Sequence, residues 1–254
     1  MSKILILIAV LFSGISSVNA QTLNDYYTQG VLDYKQGNYD EAVSDYTKAI
    51  EAIPNYAVAY ANRGIVYDRQ GKLTRAIFDY TKAIEIKPDY AEAYYNRGIA
   101  YEQQGDLTLA ISDYTKAIGI NPNYAEAYYN RGGTYAQLGN FTQVISDCSK
   151  AIEINPNYVE AYDNRGTAYD KQDKFTQAVF DYTKAIEINS SLKEPYNNRG
   201  YVYAEQGKFT QAIIDLNKAI EIDPKFAEAY NSRGLISMAL EQSEMTWVKL
   251  PSWA

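Results

Sequence analysis

From Leu23 to Phe226 the apolar and polar positions follow a pattern that returns every 34 residues, six times without a gap. The stretch AEAYYNRGIAYEQQGDLTLAISDYTKAIGINPNY, beginning at Ala91, is followed directly by AEAYYNRGGTYAQLGNFTQVISDCSKAIEINPNY. Early in each copy a tyrosine (Tyr26, Tyr60, Tyr94, Tyr128, Tyr162, Tyr196) precedes a glycine (Gly30, Gly64, Gly98, Gly132, Gly166, Gly200) by four residues. That spacing puts both on one face of a helix. A second apolar run places alanines seven apart around a large side chain, as in Ala110, Tyr114 and Ala117 or Ala212, Leu216 and Ala219. Glycine and alanine let two backbones approach while tyrosine fills the flanking holes. Each copy therefore predicts a helical hairpin.

The punctuation agrees. Gly71, Gly105, Gly139 and Gly207 stand in short polar turns between the two runs, where a helix C-terminus favours a residue at positive φ. Pro54, Pro88, Pro122, Pro156 and Pro224 close the second runs, because proline restricts the residue before it and donates no hydrogen bond. The fifth copy has Asp173 for the turn glycine and Ser190 for the proline, the weakest stop signals of the array.

With tyrosine, glycine, two alanines and proline all in register, the pattern resembles the tetratricopeptide repeat. The resemblance implies an all-α fold: an αα-hairpin solenoid wound as a right-handed superhelix, with a concave groove formed by the first helices. Each repeat buries its apolar face against its neighbours. The repeats are expected at 23–56, 57–90, 91–124, 125–158, 159–192 and 193–226, then the first helix of a degenerate seventh at 227–240 and a C-terminal tail or cap at 241–254. Beyond Met238 the frame fails, Glu241 standing for the turn glycine and Thr246 for the first alanine. The tail holds both tryptophans, Trp247 and Trp253, and suits a cap or a segment that docks a partner.

Of the 26 tyrosines, 20 fall on recurring framework places and are expected to pack. Tyr27, Tyr95, Tyr129 and Tyr201 lie outside the framework and fit an exposed role better. Arginine recurs at Arg63, Arg97, Arg131, Arg165, Arg199 and Arg233, and aspartate at Asp45, Asp79, Asp113, Asp147, Asp181 and Asp215. The first repeat lacks the arginine and the seventh the aspartate. Pairing each aspartate with the arginine of the following repeat leaves none over, which is the expected arrangement.

Net charge is −7, and loss of Lys3 with a leader makes it −8. The first helices carry much of the acid, including Glu92, Glu126, Glu160, Asp163, Glu194 and Glu228, whereas lysines recur on the second helices. An acidic groove repels phosphate backbones, so nucleic acid is not an expected partner. Neutral or basic proteins or peptides are. The same glutamates also suit the positive ends of helix dipoles as a solvated row. Asn62, Asn96, Asn130, Asn164 and Asn198 form a one-per-repeat ladder on that face. Such a ladder can hold an extended peptide backbone by its donors and acceptors, or bridge adjacent helices. The candidate peptide-binding groove comprises those asparagines with Tyr95 and Tyr129 for stacking and Glu92, Glu126 and Glu160 for charge.

Catalysis is not expected. The chain has no histidine and one cysteine, Cys148, which removes imidazole chemistry, intramolecular disulfides and cysteine metal clusters. Phosphate-binding glycine loops and calcium loops are absent as well, so no cofactor or metal is expected. Cys148 occupies a packing place and reads as a small hydrophobe. The start, MSKILILIAVLFSGISSVNA, has the charge, apolar run and small-residue end of a secretory signal, with cleavage expected after Ala20. That predicts a secreted or periplasmic product with no membrane insertion after cleavage. The expected function is a non-enzymatic exported scaffold binding an extended peptide or partner helix in the concave groove, the alternative being an assembly protein that acts through its ends or convex face.

Overall fold

The computed structural model describes the backbone of residues 25–248 and side chains as far as Met238. The signal segment at 1–20, Leu23 and Trp253 lie outside the described residues. Two compact halves result, one ending at Asn123 and the other beginning at Tyr124. The first holds α1 (25–36), α2 (Tyr39–Ala52), α3 (Ala57–Arg69), α4 (Leu73–Ile86), α5 (Ala91–Gln104) and α6 (Leu107–Ile120). The second holds α7 (Ala125–Gln137), α8 (Phe141–Ile154), α9 (Val159–Asp170), α10 (Phe175–Ile188), α11 (Lys193–Glu205), α12 (Phe209–Ile222) and α13 (Ala227–Val248). There is no strand among the described residues. In both halves consecutive helices pack in pairs, an all-α helical repeat.

Each hairpin closes where the sequence changes from apolar period to polar turn. At the α5–α6 turn Gly105 takes φ 86°, and the Asp106 N–H donates back to Tyr101 O at 2.9 Å, which satisfies a terminal carbonyl. In the fifth repeat Asp173 makes the same turn at φ 56°, the one non-glycine residue at positive φ among those described. A side chain there costs about 1 kcal/mol. Asp173→Gly is expected to raise stability by about 0.5 to 1 kcal/mol, read as a shift in the denaturant midpoint at unchanged slope.

The close approach inside each hairpin depends on what faces the glycine. A Cβ on Gly98 would lie 2.8 Å from Tyr114 Cε1, and Tyr114 is fully buried. At Gly132 the facing residue is Cys148, and the same Cβ would meet Sγ at an ordinary 3.4 Å. Gly98→Ala is thus expected to lose about 1 to 2 kcal/mol net of its helix-propensity gain, whereas Gly132→Ala gains up to about 1. Paired urea melts read this difference in sign.

The arginine–aspartate pairs run within repeats, not between them. Arg63 grips Asp79 with Nε and Nη2 at 2.8 and 2.9 Å, and Arg97–Asp113, Arg131–Asp147, Arg165–Asp181 and Arg199–Asp215 repeat the fork. Arg131 meets Asp147, so the expectation of pairing with the preceding repeat's aspartate is overturned. The physical reason is that both side chains flank the glycine–tyrosine contact that closes one hairpin. The link between repeats is the third arginine nitrogen: Nη1 of Arg63, Arg97, Arg165 and Arg199 donates to Thr47, Thr81, Ser149 and Thr183 of the preceding repeat at 2.8 to 3.0 Å. The two residues left over find substitutes. Asp45 pairs with Lys48 at 2.6 Å, and Arg233 Nη1 donates to Asn217 Oδ1 at 2.8 Å.

Helix α13 runs 22 residues without a turn, past 240 where the repeat frame would break it. Glu241 supplies no left-handed cap, and no glycine or proline intervenes before Val248. No helix among the described residues is long and apolar enough to cross a membrane.

Candidate functional site

The first-helix face of the second half carries a cavity of about 200 Å³ between α9 and α11, lined by Tyr129, Val159, Glu160, Asp163, Asn164, Leu192, Glu194 and Pro195. Three of the residues expected from sequence, Tyr129, Glu160 and Asn164, meet there. Glu160 sits in the first turn of α9 and Glu194 in the first turn of α11, where helix N-termini favour negative charge. The floor combines aromatic and aliphatic groups with three carboxyls, and no base is among its lining residues.

Of the three carboxyls Asp163 is the least exposed. Burial pushes its carboxyl up to about 6, the Asn198 hydrogen bond opposes that shift, and Glu194 and Glu160 add to it. Asn198 Nδ2 donates to Asp163 Oδ1 at 3.2 Å. Tyr129, half-buried, stacks on Tyr158 with ring centroids 5.0 Å apart, and its hydroxyl is raised by burial and Glu160 and lowered by a hydrogen bond from Asn164. In the sequence Asp163 is one acid of a row. Its place among Tyr, Ala and Asn at the fifth position of other repeats was the available signal.

The asparagine ladder links repeats. Asn62 Nδ2 donates to the Tyr27 hydroxyl at 3.0 Å, Asn164 bonds Tyr129, and Asn198 bonds Asp163, each partner standing at the fifth place of the preceding repeat. Each of these amides fixes a side chain of the neighbouring repeat. In the first half Tyr95 packs on the Tyr114 ring at 5.9 Å, Asn96 is half-buried, and Glu92 is exposed. In the second half Glu126 is exposed and Asn130 half-buried. Of the four tyrosines expected to be exposed, Tyr27, Tyr95, Tyr129 and Tyr201, only Tyr201 is; the other three are partly buried against neighbouring rings. Tyr27 packs on Tyr46 and Tyr56.

Cys148 is fully buried and its thiol is pushed up to about 12 by burial and Asp147, which leaves it protonated. Among the described residues no cluster of three or more carboxylates, cysteines or histidines is placed to hold a metal ion.

Family models for the TPR repeat match residues 30–71, 67–105, 166–207 and 200–240, and models for the tetratricopeptide repeat match 91–124, 125–158 and 148–180. The chain belongs to the tetratricopeptide-repeat family. Among solved structures it is similar to YrrB, described as a TPR protein with an unusual peptide-binding site, at 25% identity and TM-score 0.66 over 74% of this chain and 97% of that one. A MamA protein structure aligns at 30% identity and TM-score 0.62, covering 68% and 94%. Pseudomonas aeruginosa pilF, at 17% identity, TM-score 0.74 and coverage of 85% and 98%, shows the same fold. No curated protein sequence matches the chain.

Proposed function

We propose that the protein is an exported, non-catalytic scaffold that holds an extended peptide or partner helix, neutral or basic, on its first-helix face. The observation that carries this reading is Asp163: a desolvated carboxyl beside Glu160 and Glu194, in a cavity whose lining residues include no cation. Carboxylates held where they oppose folding are characteristic of binding sites. A lysine or arginine entering the cavity would neutralise them, with Tyr129 offering its ring face. The likeness to YrrB, a protein described by its peptide-binding site, supports the same use of the fold. Export rests on the leader-like first 20 residues. The acidic face disfavours nucleic acid.

The test is affinity capture with the protein and its Glu160→Lys, Glu194→Lys double variant. Both glutamates are exposed, so the fold survives the change. Capture of a partner by the wild-type protein, lost at least tenfold in a variant with an unchanged melting temperature, is the expected outcome. Undiminished capture would refute the reading.

A specific observation favours one other reading, assembly through the second helices. Phe78, Phe180 and Ile214 are exposed on α4, α10 and α12, and Lys82 and Lys184 lie over the two phenylalanine rings. On that reading Phe180→Ser abolishes capture and the glutamate variant does not.

A further inference from the structure

The ladder of the second half ends on an unused acceptor. At its sixth place each repeat from two to six offers an asparagine, and Asn164 and Asn198 satisfy the fifth-place residues Tyr129 and Asp163. The seventh repeat has Ser232 instead, and Asn197 Oδ1, on a residue only 9% exposed, is left with no partner. Asn197 Nδ2 points at Asn198 Oδ1, 3.4 Å away, and Asn198 Nδ2 in turn donates to Asp163. The three side chains form a relay whose donors all run towards a carboxylate. A hydrogen-bond chain polarised this way strengthens the acceptor at its open end, and an unsatisfied buried acceptor costs about 1 to 3 kcal/mol until a donor arrives.

Asn197 is also one of the residues that line a second cavity, of about 160 Å³, where Asp170 stands too. Lys171 lies at the rim, 3.9 Å from Asp170 and more than half exposed. On the far side of Tyr201, which is 46% exposed, a third cavity of about 230 Å³ opens between α11 and α13. Its lining is mostly apolar, with Phe209, Ile236 and Leu235, the last 65% exposed. The variable places of the first helices follow the same gradient: Asp163, Thr167 and Asp170 in repeat five, Asn197, Tyr201 and Ala204 in repeat six, Asn231, Leu235 and Met238 in repeat seven.

We propose that the second half reads an extended peptide in one direction: a lysine or arginine donates to Asn197 Oδ1 beside Asp170, and a large apolar side chain seats past Tyr201 on Leu235. A helix-to-helix step of about 10 Å is spanned by about three extended residues, which sets the separation. This assignment rests on the peptide-binding reading above and adds the residue types, their order and their spacing.

The experiment is selection of a random dodecapeptide phage library on the purified protein, followed by binding measurements on the synthetic peptides recovered. The expected peptides carry a basic residue and a large apolar residue about three apart in one constant order. Leu235→Ser, at an exposed position, should relax the apolar preference and weaken binding about tenfold. Asn197→Ala should weaken binding similarly while leaving the protein at least as stable, since it removes an unsatisfied group, and a merely structural asparagine would not separate the two readouts. Peptides that bind and are lost with Glu160→Lys, Glu194→Lys, yet show no such pattern, would overturn this assignment and leave peptide binding standing. Recovery of no binding peptide would overturn both.

Discussion

Asp181→Ala is expected to destabilise the protein by about 3 to 5 kcal/mol, the largest single effect of any substitution considered. Asp181 is fully buried and accepts both Nε and Nη2 of Arg165 at 2.7 Å. Burial pushes its carboxyl up and the arginine opposes the shift. Removing the acid leaves a guanidinium enclosed without its counter-ion, and that uncompensated charge sets the cost. Asp45, at the same place in the first repeat, supplies the internal contrast. Its partner is the half-exposed Lys48, so Asp45→Ala should cost about 1 kcal/mol or less. Chemical denaturation of the two variants measures the gap, and equal losses would show that the fork adds nothing beyond a surface pair.

Asp163→Asn is expected to stabilise the protein at neutral pH by about 2 to 3 kcal/mol. The folded carboxyl titrates at about 6, against about 3.9 in an unfolded chain. Between those values the folded state binds more protons, so wild-type stability falls as pH rises from about 4 to about 6 and is level above. The amide keeps an oxygen for Asn198 and has no proton to lose. Curves of stability against pH should therefore coincide near pH 4 and separate towards pH 7, with the variant above. The groups that face Asp163 are Glu160 on its own helix, Glu194 and Asn198 on α11, and Tyr129 on α7. None supplies a positive charge. If the carboxylate serves a cationic ligand, the same variant that gains stability should lose affinity.

The hairpins were legible because each helix carries its own start, stop and packing signals. Positive φ at Gly71, Gly105, Gly139 and Gly207 follows from glycine between a polar turn and a tyrosine-bearing helix. The pairing of charges was not legible. Counting residues left over favoured neighbours in different repeats, but the fork's direction depends on which helix face the glycine presents. Nothing in the composition of Arg97 and Asp113 encodes that. The count failed at the ends, where Lys48 and Asn217 stood in for the absent partners.

For the candidate site, residue types were readable and their burial was not. Tyr129, Glu160 and Asn164 were drawn from a periodic row, and the row's period was visible. Which member of it would be desolvated depends on the neighbours that line its cavity, among them Leu192 and Pro195, which stand where the fifth repeat lacks its proline and the sixth begins Lys-Glu-Pro. Departures from the repeat, rather than the repeat itself, mark the surface that differs from one unit to the next. Asp163, Asn197 and Ser232 are such departures.

The central claim is that a peptide or partner helix lies on the first helices of the second half. A photoreactive phenylalanine analogue placed at Tyr201, and separately at Phe180, tests it most directly, since both side chains are exposed on opposite classes of helix. Binding on the first-helix face predicts crosslinks to the captured partner from position 201 and none from 180. Crosslinks confined to position 180 would contradict the account and assign the partner to the second helices.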